Sequence, residues 1–279
     1  MSKTILITGA STGIGKAGAL ELGRRGWKVF VHARSEARGK PVLDELKQGA
    51  PNADFALVTG DVSSMAEVKS LAEQVKAQTK TLDVLWNNAG LMLNERQVSV
   101  DGWEMTMAIN HLAPFVLTRE LLPLIEQTQG RVITTSSGAH MFGSFNWDDW
   151  MDEKSNYSSF RIYGKTKLAN ILFTRELAHR VSGKGITAHC YHPGFVRTDF
   201  GKQTRGKQSQ GSFYPRWMET LFTIDSEAGA DTGVFLAEDP SAKNSNGKYW
   251  IKRKVRRTKS FDNDRNAAKL WELSEKAVN

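Results

Sequence analysis

Lys3-Thr-Ile-Leu-Ile-Thr-Gly-Ala-Ser-Thr-Gly-Ile-Gly15 decides the fold of this 279-residue chain. A β-branched run over 3–8 ends in glycines and passes at Lys16 into helical apolar spacing, so a strand must turn sharply into a helix. Gly9, Gly13 and Gly15 leave bare backbone at that turn. There the helix N-terminus offers N–H groups and the positive end of its dipole to a phosphate. The stretch is not a P-loop, because Lys16 is followed by Ala17 where a Mg²⁺-binding Ser or Thr is needed. It also departs from the G-x-G-x-x-G spacing.

Outward from this turn, short apolar runs near 27–32, 54–59, 82–87, 130–136, 185–191 and 248–251 read as further strands, all without internal proline. Between them 16–25, 36–48, 65–78, 103–127, 163–181 and 227–237 carry apolar residues three and four apart and read as helices, with Asp101 and Ser226 as N-caps. Strand and helix in alternation predict an α/β chain, a doubly wound parallel sheet within a single domain over 1–279. Two segments interrupt the alternation where such a sheet builds its ligand crevice: an insertion at 138–160 and a stretch at 197–225. In the second, Tyr214, Trp217, Met218, Leu221 and Phe222 fall at helical spacing. They form either a lid over a hydrophobic substrate or a helix packed on the core.

Composition excludes several classes. No run approaches the roughly 20 apolar residues that cross a bilayer. Strand-like sequence begins almost at Met1, which predicts a cytoplasmic chain without a leader. The single Cys190, inside an apolar segment, agrees with that expectation. The net charge of +8 is concentrated at the C-terminal end, where residues 243–279 hold eleven Lys/Arg against four Asp/Glu. The basic tail, 252–279, opens on Lys252-Arg-Lys-Val-Arg-Arg257 and reads as a solvated surface or a weak contact for an anionic membrane. No nucleic-acid-binding signature accompanies it. Nothing has the spacing of a metal site, and no G-x-S-x-G elbow surrounds Ser137.

The second strand ends in Phe30-Val-His-Ala-Arg34. An NAD enzyme usually places an acid there for the ribose 2′-OH, whereas an Arg can pair with a 2′-phosphate through its planar fork. Arg34 therefore favours NADP(H), with NAD(H) possible. His32 reads as packing or solvent-exposed. Asp61-Val62, at the end of the third strand, can receive the adenine.

Further along, Tyr163-Gly-Lys-Thr-Lys167 places a phenol and an ammonium one helical turn apart, on one face. Ser137, at the end of Arg131-Val-Ile-Thr-Thr-Ser-Ser137, can complete a proton-transfer site. Strand alternation sends Ser136 to the opposite face. A phenol titrating near 10 is a poor acid-base group at neutral pH without a cation beside it, and Lys167 supplies one.

Thr8 to Gly15, Asp61-Val62, Asn87-Asn-Ala-Gly90, Asn110, Ser137, Tyr163 with Lys167, and His192-Pro-Gly194 followed by Thr198 together resemble the short-chain dehydrogenase/reductase family over nearly the whole chain. The resemblance implies a Rossmann-type sheet of about seven strands in the order 3-2-1-4-5-6-7. It implies a catalytic set of Asn110, Ser137, Tyr163 and Lys167, with Asn110 holding a water that links Lys167 to solvent. It further implies that Gly9, Ser11, Thr12, Gly13, Ile14, Gly15, Arg34, Asp61, Val62, Asn88, Ala89, Gly90, Tyr163, Lys167, Pro193, Gly194, Val196 and Thr198 line the dinucleotide, Thr198 meeting the carboxamide or else capping locally. Ser137 and Tyr163 are 26 residues apart, where many members have about a dozen. That spacing, the run over 167–177 and Gly247-Lys-Tyr-Trp250 are similar to the retinol dehydrogenase-like branch. The expected activity is hydride exchange between NADP(H) and a lipophilic carbonyl or alcohol, retinal-like, steroid-like or xenobiotic. A light-dependent protochlorophyllide reductase-like enzyme and a non-catalytic dinucleotide-responsive protein are the alternatives. His140, His192, Trp147 and Trp150 either touch substrate or pack the insertion, and assembly as monomer or homodimer stays open.

Overall fold

The computed structural model describes residues 2–194, 225–259 and 261–279. The lid candidate at 197–225 lies outside these residues apart from Asp225, as do Val196 and Thr198. Strands β1 (Thr4–Ile7), β2 (Lys28–Ala33), β3 (Asp54–Thr59), β4 (Val84–Asn87), β5 (Arg131–Thr135), β6 (Thr187–His192), β7 (Lys248–Ile251) and β8 (Lys254–Arg256) form one sheet in the order 3-2-1-4-5-6-7-8. The first seven pair in parallel and β8 runs antiparallel to β7. The expected order thus holds, with one strand added to the expected seven.

Alternation along each strand divides the core. Ile5, Ile7, Val29, Val31, Trp86 and Ile133 pack on one face with helices α1 (Gly13–Arg24), α2 (Glu36–Gly49) and α7 (Ser226–Glu238). Leu6, Phe30, Leu85 and Val132 pack on the other with α3 (Met65–Gln78), α5 (Ala113–Glu126) and α6 (Ser159–Arg180). Trp86 shows how closely the first face fits: a Cβ on Gly18 of α1 would lie 2.6 Å from its ring, and one on Gly233 of α7 would lie 2.1 Å from it. Only glycine lets both helices rest on that indole.

Three expectations are corrected. Residues 252–279, read as a tail, contain β8 and helix α8 (Asp264–Val278). The hairpin turn is made by Lys252 and Arg253 at φ 50° and 58°, a left-handed conformation usually signalled by Asn-Gly, so no turn was visible in the sequence. The basic residues of β8 are solvated on an edge strand, where charge opposes edge-to-edge pairing. Helix α8 buries Ala267, Leu270 and Ser274. Its Trp271 stacks on Phe173 of α6 at 5.9 Å between centroids and meets Phe115 of α5 edge-on at 4.8 Å. Asp101 does not cap the helix that follows it, whose N-cap is Glu104; it reaches across to accept from Met65 N–H at 3.0 Å, at the start of α3, which Ser64 caps. Asp225, not Ser226, caps α7 through Ala228 N–H at 2.7 Å.

Candidate active site

The strand ends β1, β2 and β4 bring the glycine turn and Asn87-Asn-Ala-Gly90 together. Thr8 Oγ accepts from the N–H groups of Asn88 (2.9 Å) and Ala89 (3.0 Å), and Asn88 Nδ2 donates to the Thr8 carbonyl at 3.0 Å. Gly9 has φ +63°, and a Cβ there would lie 2.8 Å from Ala89 Cα. A Cβ on Gly15 would meet Asn88 Nδ2 and the Gly9 carbonyl at 2.6 Å. Glycine is therefore required at both positions for two segments of backbone to approach. Thr12, the N-cap of α1, makes no side-chain cap, and no acidic residue lies in the first turn. That helix end is left able to receive an anion. Ser11, Gly13 and Ile14 are half-buried along the turn. Thr8, Val62, Ala89, Ile109, Pro114 and Leu117 line part of a small apolar recess beside it.

Beyond β2, Arg34 is exposed, with Nη1 3.9 Å from Asp61 Oδ2. Asp61 and Val62 lie two and three residues past β3. An uncapped helix end, glycines that a Cβ would obstruct, an apolar recess and an accessible guanidinium fit a dinucleotide.

The second group forms where β4, β5 and α6 converge. Asn110 occupies a π-helical turn (Ala108–Leu112) between α4 (Met105–Met107) and α5, and is fully buried. Its amide donates to the Leu91 carbonyl at 2.8 Å and to Thr166 Oγ at 2.9 Å. Lys167 Nζ donates to the Thr135 carbonyl at 3.2 Å and lies 5.4 Å from the centroid of the Tyr163 ring. A Cβ on Gly90 would sit 3.2 Å from Asn110 Oδ1 and 3.3 Å from Lys167 Nζ, so these three residues meet around one point. Burial holds the Lys167 ammonium down to about 8. Tyr163 is half-buried on the same helix face.

Ser137 follows β5 as the N-cap of a 3₁₀ turn (Gly138–Phe142), its Oγ accepting from Ala139 N–H at 3.2 Å. Ser136 faces away and donates to the Lys167 carbonyl at 2.8 Å, as strand alternation required. His140 and His192 brace this turn. His140 Nδ1 hydrogen-bonds the Ser137 carbonyl at 2.8 Å, and His192 Nδ1 accepts from Gly138 N–H at 3.2 Å and from Gly194 N–H at 3.3 Å. His192 thereby joins the Ser137 turn to Pro193-Gly194. Trp147 stacks on Phe145 at 4.7 Å inside the insertion, and Trp150 packs against the core.

Three supports carry no functional signal in the sequence: Thr8, which ties two strand ends together, the Leu91 backbone that holds Asn110, and His32. The last was visible only as a polar residue inside an apolar strand. It is buried with both ring nitrogens bonded.

A doubly wound sheet with glycine backbone at one strand end and a buried Lys beside a Tyr at another defines a dinucleotide-dependent oxidoreductase. The chain belongs to the short-chain dehydrogenase family, whose model matches residues 3–209. Among its relatives, human retinol dehydrogenase 14 is 36% identical over 299 aligned residues, covering 99% of this chain and 86% of the relative. A crystal structure of an uncharacterised protein from Mycobacterium paratuberculosis is 28% identical, with a TM-score of 0.78 over 99% of this chain and 93% of that one. A Beutenbergia cavernae protein, provisionally assigned as an NAD(P)-dependent gluconate 5-dehydrogenase and solved with NADP at low occupancy, is 26% identical. Its TM-score is 0.69 over 88% of this chain and 93% of that one. The protein is accordingly an enzyme of the retinol dehydrogenase-like kind, an oxidoreductase acting on alcohol or carbonyl groups.

Proposed function

We propose that the enzyme exchanges hydride between NADP(H) and the carbonyl or alcohol group of a lipophilic substrate. The observation that carries this reading is the meeting of Asn110, Lys167 and Gly90 beside Tyr163. A nicotinamide held in this cleft would supply the hydride that reduces the carbonyl carbon, or accept one from the alcohol. The Tyr163 hydroxyl gives its proton to the substrate oxygen, and the Lys167 ammonium stabilises the phenolate left behind. The Ser137 hydroxyl donates a hydrogen bond to the same oxygen. Asn110 holds the Gly90-Leu91 backbone and a water that returns protons toward Lys167. Gly9, Ser11, Thr12, Gly13, Ile14 and Gly15 would hold the pyrophosphate, Asp61 and Val62 the adenine, and Asn88, Ala89, Gly90, Pro193 and Gly194 the nicotinamide half.

Arg34 supports NADP(H), since its fork is accessible and only loosely paired with Asp61. NADP in the Beutenbergia relative agrees with that choice. A lipophilic substrate is supported by Met141 and Phe142, which are 54% and 65% exposed just past Ser137, and by Phe160, whose ring lies 5.2 Å from that of Phe142. Retinol, named for the human relative, is itself a lipophilic alcohol. Helix α8 packs on α5 and α6 through Trp271 against Phe115 and Phe173, covering part of that helical face, and this favours a monomer.

The test is NADPH consumption with retinal, aromatic ketones and steroid ketones, for the wild type and Tyr163→Phe. Loss of a general acid of this kind lowers turnover by about 10²–10⁴-fold. Equal rates for the two proteins would overturn the assignment of Tyr163, and cofactor binding without turnover of any substrate would favour a dinucleotide-responsive binding protein.

A further inference from the structure

His32 is the next-to-last residue of β2, buried, with both ring nitrogens engaged. Gly9 N–H donates to Nδ1 at 2.9 Å. A ring nitrogen that accepts carries no proton, so the proton is on Nε2, which donates to the Gly60 carbonyl at 2.9 Å. The main chain repeats the connection. Ala10 N–H donates to the His32 carbonyl at 2.9 Å, and Gly60 N–H donates to the Ala33 carbonyl at 3.2 Å. Gly9 and Ala10 open the phosphate turn, and Gly60 leads into Asp61 and Val62. One imidazole thus spans the two loops that flank the adenosine half of the cleft. The span needs an acceptor at one end and a donor at the other, which a shorter amide side chain cannot supply together.

We propose that His32, as the Nε2–H tautomer, is a positioning residue for the dinucleotide, fixing the Gly9 turn against the Gly60–Val62 loop and setting cofactor affinity, not the hydride-transfer step. The inference rests on the reading of this cleft as the dinucleotide site. Burial lowers the imidazole pKa, which keeps the ring in the neutral form that the two bonds require. Asp61 is the charge that opposes this lowering, and Glu67 is engaged by Asp61 N–H.

The experiment measures the Kd for NADPH and kcat at saturating cofactor in the full chain, for the wild type, His32→Asn and His32→Gln. Asn keeps an acceptor near Nδ1 and loses the Nε2 donor; Gln keeps a donor near Nε2 and loses the acceptor. Each is expected to raise Kd about tenfold, as one lost buried hydrogen bond would, with kcat within about twofold of wild type. Unchanged Kd in the folded variants, or a fall in kcat at unchanged Kd, overturns the proposal. If both variants fail to fold, ¹⁵N spectra of the wild-type imidazole decide: a protonated Nε2 with bare Nδ1 from pH 6 to 8 supports it, and the opposite tautomer overturns it. A wild type that binds neither NADPH nor NADH would overturn the dinucleotide reading itself, and this inference with it.

Discussion

The side-chain amide of Asn110 clasps the main chain of Leu91 at both ends. Leu91 N–H donates to Asn110 Oδ1 at 2.8 Å and Asn110 Nδ2 donates to the Leu91 carbonyl at 2.8 Å. The π-helical turn widens the helix at this point and lets a fully buried polar side chain reach the backbone that follows Gly90. Asn110→Ala removes both bonds and leaves Leu91 polar groups unpaired near Lys167. We expect a loss of about 2 kcal/mol in unfolding free energy and at least a tenfold fall in kcat, with a smaller change in NADPH affinity. Denaturant unfolding and steady-state kinetics on the same preparation check both. Wild-type kcat in the variant would remove Asn110 from the site.

Cofactor choice turns on Arg34. Its guanidinium is half exposed and lies 3.9 Å from Asp61, too far for a tight pair. Bidentate pairing with a phosphate is a charge-assisted contact worth about 1.5–3 kcal/mol, so Arg34→Ala should weaken NADP⁺ binding about 10- to 100-fold and leave NAD⁺ binding nearly unchanged. Calorimetric titration with both nucleotides measures the ratio. A preference that survives the substitution would assign selectivity elsewhere.

The parallel sheet was legible in the sequence because its central strands are apolar runs buried on both faces, and the helices between them keep regular apolar spacing. Tyr163 and Lys167 were legible because one helical turn fixes their relation, and Ser136 and Ser137 because a strand has period two. β8 was not, since Lys252 and Arg253 turn left-handed without glycine or asparagine. Helix α8 was hidden by its charge, although Ala267, Leu270, Trp271 and Ser274 carry helical spacing. The role of His32 depends on contacts 23 and 28 residues away, which no local pattern encodes.

Buried histidines contribute to the loss of stability in acid. Burial pushes His111 and His189 down to about 3, the latter helped by the Arg131 charge, and His192 down to about 4. Unfolded, each titrates near 6.5, so between that pH and the folded value the unfolded chain binds more protons and stability falls as pH falls. Their contribution is complete above about 6.5. It declines toward pH 4 by about 1.4 kcal/mol per pH unit for each residue. His111→Gln, which can still reach Ser274, should reduce the slope of unfolding free energy against pH by one such increment. An unchanged slope between pH 4 and 6 would contradict the assignment.

At the other end of the scale, Lys167 is held at about 8 by burial. Above that pH it loses the charge that stabilises the Tyr163 phenolate, and the phenol becomes a weaker acid. Carbonyl reduction should therefore decline as pH rises through about 8, while the wild type remains folded by circular dichroism. A kcat that stays flat to about pH 9.5 would separate Lys167 from the proton-transfer step.

Asp152 joins the insertion to the helix that carries Tyr163. Its carboxylate accepts from Arg161 Nη1 at 2.8 Å and from Lys165 Nζ, and its carbonyl accepts from Arg96 Nε at 3.1 Å. Lys165 Nζ also donates to the Trp150 carbonyl at 2.7 Å. With Asp152 and Lys165 only 3% and 1% exposed, removing one partner strands a buried charge, a loss of about 3–5 kcal/mol. Asp152→Ala should therefore unfold far more readily than wild type. The double variant Asp152→Ala/Lys165→Met, which removes both charges, should recover most of the difference. Because the segment 138–160 then lies less firmly on α6, KM for a lipophilic ketone should rise more than kcat falls in the double variant. Additive losses in the double-mutant cycle would show that the two side chains do not act as a pair.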